Sequence, residues 1–392
     1  MQNSPASENR KLKMALVGGG GQAFIGRVHA IAATMDYRAA LVAGVLASEP
    51  ERSRQAAVDL GIAPDRAYGS YQEMLETETQ RPPDERIDFV TIATPNSLHY
   101  DMARSALDAG FHVMCEKPLT TEARLADELM ARVDDTGRVF AVAYIYSGYP
   151  MIRQVREMVR SGELGEIQTA RVHYIQGGLR RMQPDQTPER AAWKLDPAQA
   201  GPSGAMADIG THAFHLLRFT TDLSPMEVSS HLATYHPVRP LEDYGHAVLR
   251  CAGGQMATIT ASQVTHGRLN DITLEIDGST GSLVWRHDHL DQIFLRRHGQ
   301  PVQVYENNRR ADYLSDGYRA SSRLAGGHPE GFFEALANLY RGAFDDMWRC
   351  ASGEKPASAG DSYPSVTDGC EGVRFVEACI ASSRTDGWWQ PY

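Results

Sequence analysis

Long apolar runs, paired cysteine motifs and blocks of one charge are all missing from this chain of 392 residues. No hydrophobic stretch approaches the length of a bilayer span, and the polar opening segment, Met1 to Lys13, lacks the apolar centre of a secretory signal. Neither a membrane partner nor export is therefore expected. The five cysteines, Cys115, Cys251, Cys350, Cys370 and Cys379, are an odd number without a CxxC pair, which argues against a disulfide framework and against a zinc knuckle. A reducing compartment follows, and the cytoplasm is the expected location. The formal charge of −10 is spread along the chain, and basic runs are as short as Arg296-Arg297 and Arg309-Arg310. That pattern offers no surface for nucleic acid. Internal repeats and low-complexity linkers are absent too.

What remains is an ordinary globular composition, with 42% hydrophobic and 22% charged residues, in a chain longer than one hydrophobic core sustains. Two domains are expected, at 12–148 and 149–392. In the first, short apolar runs (14–18, 40–46, 87–93, 111–115 and 139–144) alternate with helix-length segments at 25–35, 51–60, 99–109 and 125–136. Strands separated by helices predict a doubly wound α/β Rossmann sheet, parallel and covered on both faces. After Tyr149-Pro150 the rhythm changes. Helices at 152–161 and 208–220 flank a strand at 167–175, and successive strand patterns then run from 227 to 304 before two closing helices. This predicts an α+β domain on a large, open, mostly antiparallel sheet. An uncovered apolar sheet face would be costly in water, so a homodimer or homotetramer is expected.

The glycine-rich turn Gly18-Gly19-Gly20-Gly21-Gln22-Ala23-Phe24-Ile25-Gly26 joins the first strand to the first helix. There a Rossmann fold cradles a pyrophosphate on backbone N–H groups, so Gly18, Gly20, Gly21, Phe24 and Ile25 are candidate cofactor contacts. Two registers fit: a strict GxGxxG/A with Gly18, Gly20 and Ala23, or a longer loop closed by Gly26. At the end of the second strand, Ala47 holds the place of the acid that grips the ribose of NAD, with Ser48, Glu49, Arg52 and Arg54 close by. A hydroxyl and a guanidinium at Ser48 and Arg52 suit a 2′-phosphate, which puts NADP ahead of NAD. Glu49 keeps NAD possible.

The fourth strand ends in Cys115-Glu116-Lys117-Pro118 and the third in Ala93-Thr94-Pro95-Asn96-Ser97-Leu98-His99, both at the sheet edge where open α/β folds bind ligands. Together with Trp193-Lys194, Gly204, Asp208-Ile209-Gly210-Thr211-His212 and Pro364 to Gly369, these segments give the chain a resemblance to the Gfo/Idh/MocA oxidoreductases that covers most of its length. The resemblance implies hydride transfer between a nicotinamide cofactor and a secondary alcohol or ketone of a sugar, sugar derivative or cyclitol. It implies a catalytic lysine at Lys117, an orienting carboxylate at Asp208 and a proton-transferring imidazole at His212. Cofactor contacts then extend to Thr94, Pro95, Asn96, His99, Glu116, Lys117 and Trp193. Lys117, Asp208 and His212, with Tyr174, Gln176, Arg180 and Arg181, are candidate substrate contacts.

Chemistry supports those roles. Loss of hydride from a carbinol carbon requires the hydroxyl proton to leave, histidine titrates near neutrality, and an ammonium favours the developing alkoxide. Asp208, four residues before His212, is placed on the same helical face and also suits an N-cap. Asp208, His212 and His215 have metal-ligand spacing, yet the family implies no metal and no fourth ligand is evident, so none is expected. His215, Lys194 and Tyr146 depart from the family pattern. A dinucleotide sensor without catalysis is the alternative, though it has no need of Lys117 and His212.

Overall fold

In a computed structural model, which describes residues 10–20, 23–178, 192–237, 239–357 and 359–392, the chain divides into two compact units. The first comprises residues 1–120, 124–143 and 336–370, and the second 121–123, 144–335 and 371–392.

Strands β1 (Leu12–Gly18), β2 (Ala39–Val45), β3 (Phe89–Ala93), β4 (His112–Cys115) and β5 (Phe140–Val142) form a sheet of order β2-β1-β3-β4-β5 in the first unit. Every pairing is parallel. Helices α1 (Phe24–Thr34), α2 (Pro50–Asp59), α3 (Tyr71–Gln80), α4 (His99–Asp108) and α5 (Ala123–Thr136) connect the strands. Residues 89–93 and 112–115 are buried throughout, as a sheet covered on both faces requires. The sequence reading overlooked α3, whose ten residues are poor in large apolar side chains. A capping signature marked its start: Ser70 accepts from the Glu73 N–H, and Glu73 accepts from the Gly69 N–H.

The second unit begins with α6 (Pro150–Arg160) and carries a nine-stranded sheet of order β13-β12-β11-β10-β6-β9-β8-β7-β14. In chain order these strands are β6 (Ile167–Ile175), β7 (Pro225–Ala233), β8 (Tyr244–Cys251), β9 (Met256–Ser262), β10 (Asp271–Gly278), β11 (Ser282–Arg286), β12 (Gln292–Arg296), β13 (Gln303–Glu306) and β14 (Gln390–Pro391). Within this sheet, among the described residues, only the β6–β9 pair is parallel, so it is mostly antiparallel. Alternate residues point inward, among them Ala170, Val172, Leu274, Ile276, Ile259 and Trp285, and these are buried. Helix α7 (Thr211–Thr221) packs against α6 and β6. Later helices are α8 (Asp316–Ser321), α9 (Phe332–Ala351) and α10 (Val366–Ser383).

On the opposite face of the large sheet, Thr169, Arg171 and His173 of β6 stand beside Thr273, Glu275 and Asp277 of β10, with Arg171 paired to both acids, while Val248, Val284 and Phe294 lie half-buried on the same face of β8, β11 and β12. One expectation is corrected here. The segment counted as the first turn of an α-helix at Asp208 is a π-helical turn, Met206–Gly210, that runs into α7. Its i→i+5 geometry removes the face argument based on four-residue spacing, and Asp208 is not an N-cap. No helix of the described residues is long and apolar enough to cross a membrane.

Candidate active site

In the first unit, β1 ends in backbone that only glycine adopts without strain, with φ of +82° at Gly18 and +73° at Gly19. A Cβ on Gly18 would lie 2.5 Å from the Ala93 oxygen, one on Gly20 2.4 Å from the Leu46 oxygen, and one on Gly26 2.4 Å from the Gly19 oxygen. The close-packing glycine is thus Gly26, and the longer register describes the loop. Gly21 lies outside the described residues. Helix α1 starts without a side-chain cap and without an acid in its first turn, and α2 and α3 are capped by Glu49 and Ser70. A helix start without a side-chain cap, beside a glycine cradle, fits a dinucleotide pyrophosphate. Phe24 is exposed there and Ile25 half-buried.

Beyond β2, Glu49 is committed to the fold. Its carboxylate accepts from the Glu51 and Arg52 N–H groups, and those bonds hold it below the usual carboxylate range. Arg54 turns to Glu51 and Glu73. Ser48, beyond the strand end, and Arg52, in the first turn of α2, are exposed.

Four buried groups run from β3 to the strand-end lysine. Thr91 Oγ1 meets Tyr340 Oη at 2.9 Å, Tyr340 Oη meets His29 Nδ1 at 2.8 Å, and His29 Nε2 meets Glu116 Oε1 at 3.0 Å. The second Glu116 oxygen accepts from the Lys117 N–H at 3.1 Å. Burial by itself raises the Glu116 carboxyl, but the His29 bond and the neighbouring Lys117 outweigh it and hold the group below its ordinary range. His99 faces inward, with Nδ1 2.8 Å from the Pro118 oxygen and Nε2 3.0 Å from the Thr94 oxygen. It ties the β3 loop to the Lys117-Pro118 turn. Burial lowers its pKa against the pull of those carbonyls. Asn96 is buried beside this loop, Thr94 and Lys117 are half-buried, and Pro95 precedes Asn96 as the residue before a short 3-10 turn.

In the second unit, the Asp208 carboxylate accepts from Lys194 Nζ at 2.9 Å and Gln263 Nε2 at 2.8 Å. Trp193 lies under the Lys194 ammonium, 5.6 Å from its ring centre. His212 is 8% exposed, and its ring is flanked by Tyr146 at 5.1 Å, Tyr144 at 5.8 Å and Tyr174 at 6.2 Å. The hydroxyl groups beyond it close a ring: Asn270 Nδ2 donates to Tyr146 Oη (3.1 Å), whose partner at 2.7 Å is Tyr174 Oη, and Tyr174 donates to Asn270 Oδ1 (2.7 Å). Gln176 Nε2 donates to both Tyr174 and Asn270. Burial, then Tyr146, raises the Tyr174 phenol well above its ordinary pKa, so it stays protonated. His215, 4% exposed, stacks flat on Tyr144 at 4.5 Å and meets Phe219 on a further side. Arg180 and Arg181 lie outside the described residues. Among the described residues, no three His, Cys, Asp or Glu side chains are grouped to hold a metal ion.

The structure thus joins Asp208 to Lys194, and His212 to Tyr146 and Tyr174, within the second unit. Lys117 belongs to the first. Sequence reasoning missed His29 and Tyr340 behind Glu116, and Gln263 and Asn270 in the second unit. Gln263 follows β9 and Asn270 precedes β10, so polar residues at strand ends were the available signal.

Residues 12–144 match the model of the oxidoreductase family with an NAD-binding Rossmann fold, and residues 152–284 match the GFO/IDH/MocA C-terminal domain. The uncharacterized oxidoreductase YfiI of Bacillus subtilis (strain 168) is 30% identical over 394 residues, covering 99% of each chain. Levoglucosan dehydrogenase of Pseudarthrobacter phenanthrenivorans is 29% identical over 72% of this chain and 76% of its own. Among solved structures, an inositol dehydrogenase homolog from Azotobacter vinelandii, complexed with NADH and myo-inositol, superposes with a TM-score of 0.91 at 35% identity over 98% of this chain and 99% of that one.

Proposed function

The chain belongs to the Gfo/Idh/MocA oxidoreductase family, and from that membership we propose that it moves a hydride between a nicotinamide dinucleotide and a secondary alcohol or ketone of a sugar, sugar derivative or cyclitol. The observation that carries this reading is His212, nearly enclosed by three tyrosine rings in a unit where a carboxylate and an ammonium are already paired. Residues 12–148 serve the dinucleotide and 149–392 the substrate.

Gly18, Gly20 and the uncapped start of α1 would hold the pyrophosphate, and the nicotinamide would supply the hydride acceptor or donor. His212 takes the hydroxyl proton as the carbinol is oxidised and returns it in reduction. Lys117 presents an ammonium that favours the alkoxide, with its backbone fixed through Glu116. Asp208, held by Lys194 and Gln263, orients the substrate or the imidazole. Tyr174 and Gln176 offer hydroxyl and amide contacts to substrate oxygens. Because Glu49 is spent on its helix and Arg54 on Glu73, the exposed pair Ser48 and Arg52 supports NADP ahead of NAD. All five cysteines are free, which suits the cytoplasm.

The test is turnover, followed by nicotinamide absorbance, with NADP or NAD and a panel of myo-inositol, levoglucosan and D-xylose. His212→Ala is expected to lower kcat by about a thousandfold, within the range of general acid–base catalysis. Arg52→Ala is expected to weaken NADP by about tenfold and leave NAD unchanged. Dinucleotide binding without turnover on the panel contradicts the enzyme reading and favours a sensor.

A further inference from the structure

The turn between β7 and β8 carries a buried cation that the reading above does not use. Asp243 pins this turn by accepting from the Tyr235 N–H at 2.9 Å and the His236 N–H at 2.8 Å, and the Arg239 N–H donates to the His236 carbonyl at 3.2 Å. The result is to send the Arg239 side chain to Gln263, with Nη1 3.5 Å from Oε1. Gln263 in turn donates to Asp208 at 2.8 Å, so guanidinium, amide and carboxylate form one series within the second unit.

Arg239 is 9% exposed, yet that single long bond is the only hydrogen bond its side chain makes among the described residues, and its Nε is buried without a partner. A guanidinium has five N–H donors, and folded proteins seldom leave buried donors unspent. No ion pair closer than 4.0 Å balances it among the described residues. Three carboxylates nevertheless act on it from further away: Asp243, Glu242 and Asp208 oppose the effect of burial, which pulls the guanidinium below its ordinary pKa. Burial outweighs that attraction, so among the described residues the buried group is fully answered neither by charge nor by hydrogen bonds. With Lys194 on Asp208 counted, three carboxylates face two cations, so an incoming anion would meet no net positive charge. A neutral, oxygen-rich molecule would gain donors from Arg239 and an acceptor from Asp208.

We propose that Arg239 is a specificity-determining residue that, with Gln263 and Asp208, holds adjacent hydroxyl oxygens of a neutral polyol and disfavours sugar acids. This rests on the dehydrogenase reading and narrows its substrate class. A planar fork suits two neighbouring oxygens better than the point charge of lysine does. The site is consequently sensitive to Arg239→Lys as well as to Arg239→Met.

The experiment compares wild type, Arg239→Met and Arg239→Lys on myo-inositol, levoglucosan and D-xylose, and on D-gluconate and D-glucuronate, reading KM and kcat separately. For the best neutral substrate, Arg239→Met is expected to raise KM by about thirtyfold and Arg239→Lys by about tenfold, with dinucleotide KM unchanged and kcat within about threefold. Wild-type preference for the acids, or an unchanged polyol KM in both variants, overturns the proposal and leaves the dehydrogenase reading standing. If Arg239→Met does not fold, as loss of dinucleotide binding reveals, Arg239→Lys decides alone. Absence of wild-type turnover on every compound overturns both.

Discussion

Behind Lys117 the series from Thr91 to Glu116 completes its own hydrogen bonds, whereas Arg239 keeps donors over. In the first unit, Thr91, Tyr340, His29 and Glu116 satisfy one another, and the last link fixes the Lys117 backbone. In the second, Asp208 is tied down by Lys194 and Gln263, and Arg239 reaches the same amide with most of its donors unspent. Buried polar groups that the fold satisfies rigidify a site before any ligand arrives. Groups that it does not satisfy are available for recognition. On the proposed roles, the first unit is preset and the second is selective.

This contrast can be broken by finding first-unit groups that control substrate choice. His112 is the strongest case against that outcome. Its Nδ1 accepts from the Val139 N–H, and burial, followed by nearby Arg138, depresses its pKa to about 4. A depressed histidine contributes stability above its unfolded pKa, near 6.5, and loses it as pH falls toward 4. The loss is on the order of 3 kcal/mol. Thermal unfolding of His112→Asn should be lower at neutral pH and flatter between pH 6.5 and 4 than that of the wild type, with KM for the polyol unchanged. A steep wild-type-like slope in this variant would assign the acid sensitivity elsewhere.

A smaller effect sharpens the comparison. His29 is a positioning residue, since it acts on Lys117 only through Glu116. His29→Gln should lower kcat by about tenfold, as expected for a lost charge-assisted hydrogen bond, without changing dinucleotide KM. It should also shift the pH profile of kcat, which simple loss of stability would not do. An unchanged profile would reduce the buried series to packing.

Much of the first unit was legible because its signals are local. Strand, glycine turn and helix are contiguous, and Glu116-Lys117-Pro118 occupies one strand end. Even so, spacing alone admitted both Ala23 and Gly26, and the backbone approach of Gly26 to Gly19 decided between them. The second site was less legible because Lys194, Asp208, Arg239, Gln263 and Asn270 come from separate segments that no period connects. The π turn at Asp208 has a composition indistinguishable from an α turn. His215, three residues beyond His212, stacks its ring on Tyr144, a contact that sequence spacing does not show.

The central proposal is that His212 takes the hydroxyl proton while Lys117 stabilises the alkoxide of the same substrate. A double-mutant cycle on kcat/KM, with His212→Gln, Lys117→Met and the double variant, tests it most directly. Groups acting as one device should be strongly non-additive, the double variant being no more than about tenfold worse than the worse single variant. Losses that simply multiply would mean independent roles, and would contradict the account.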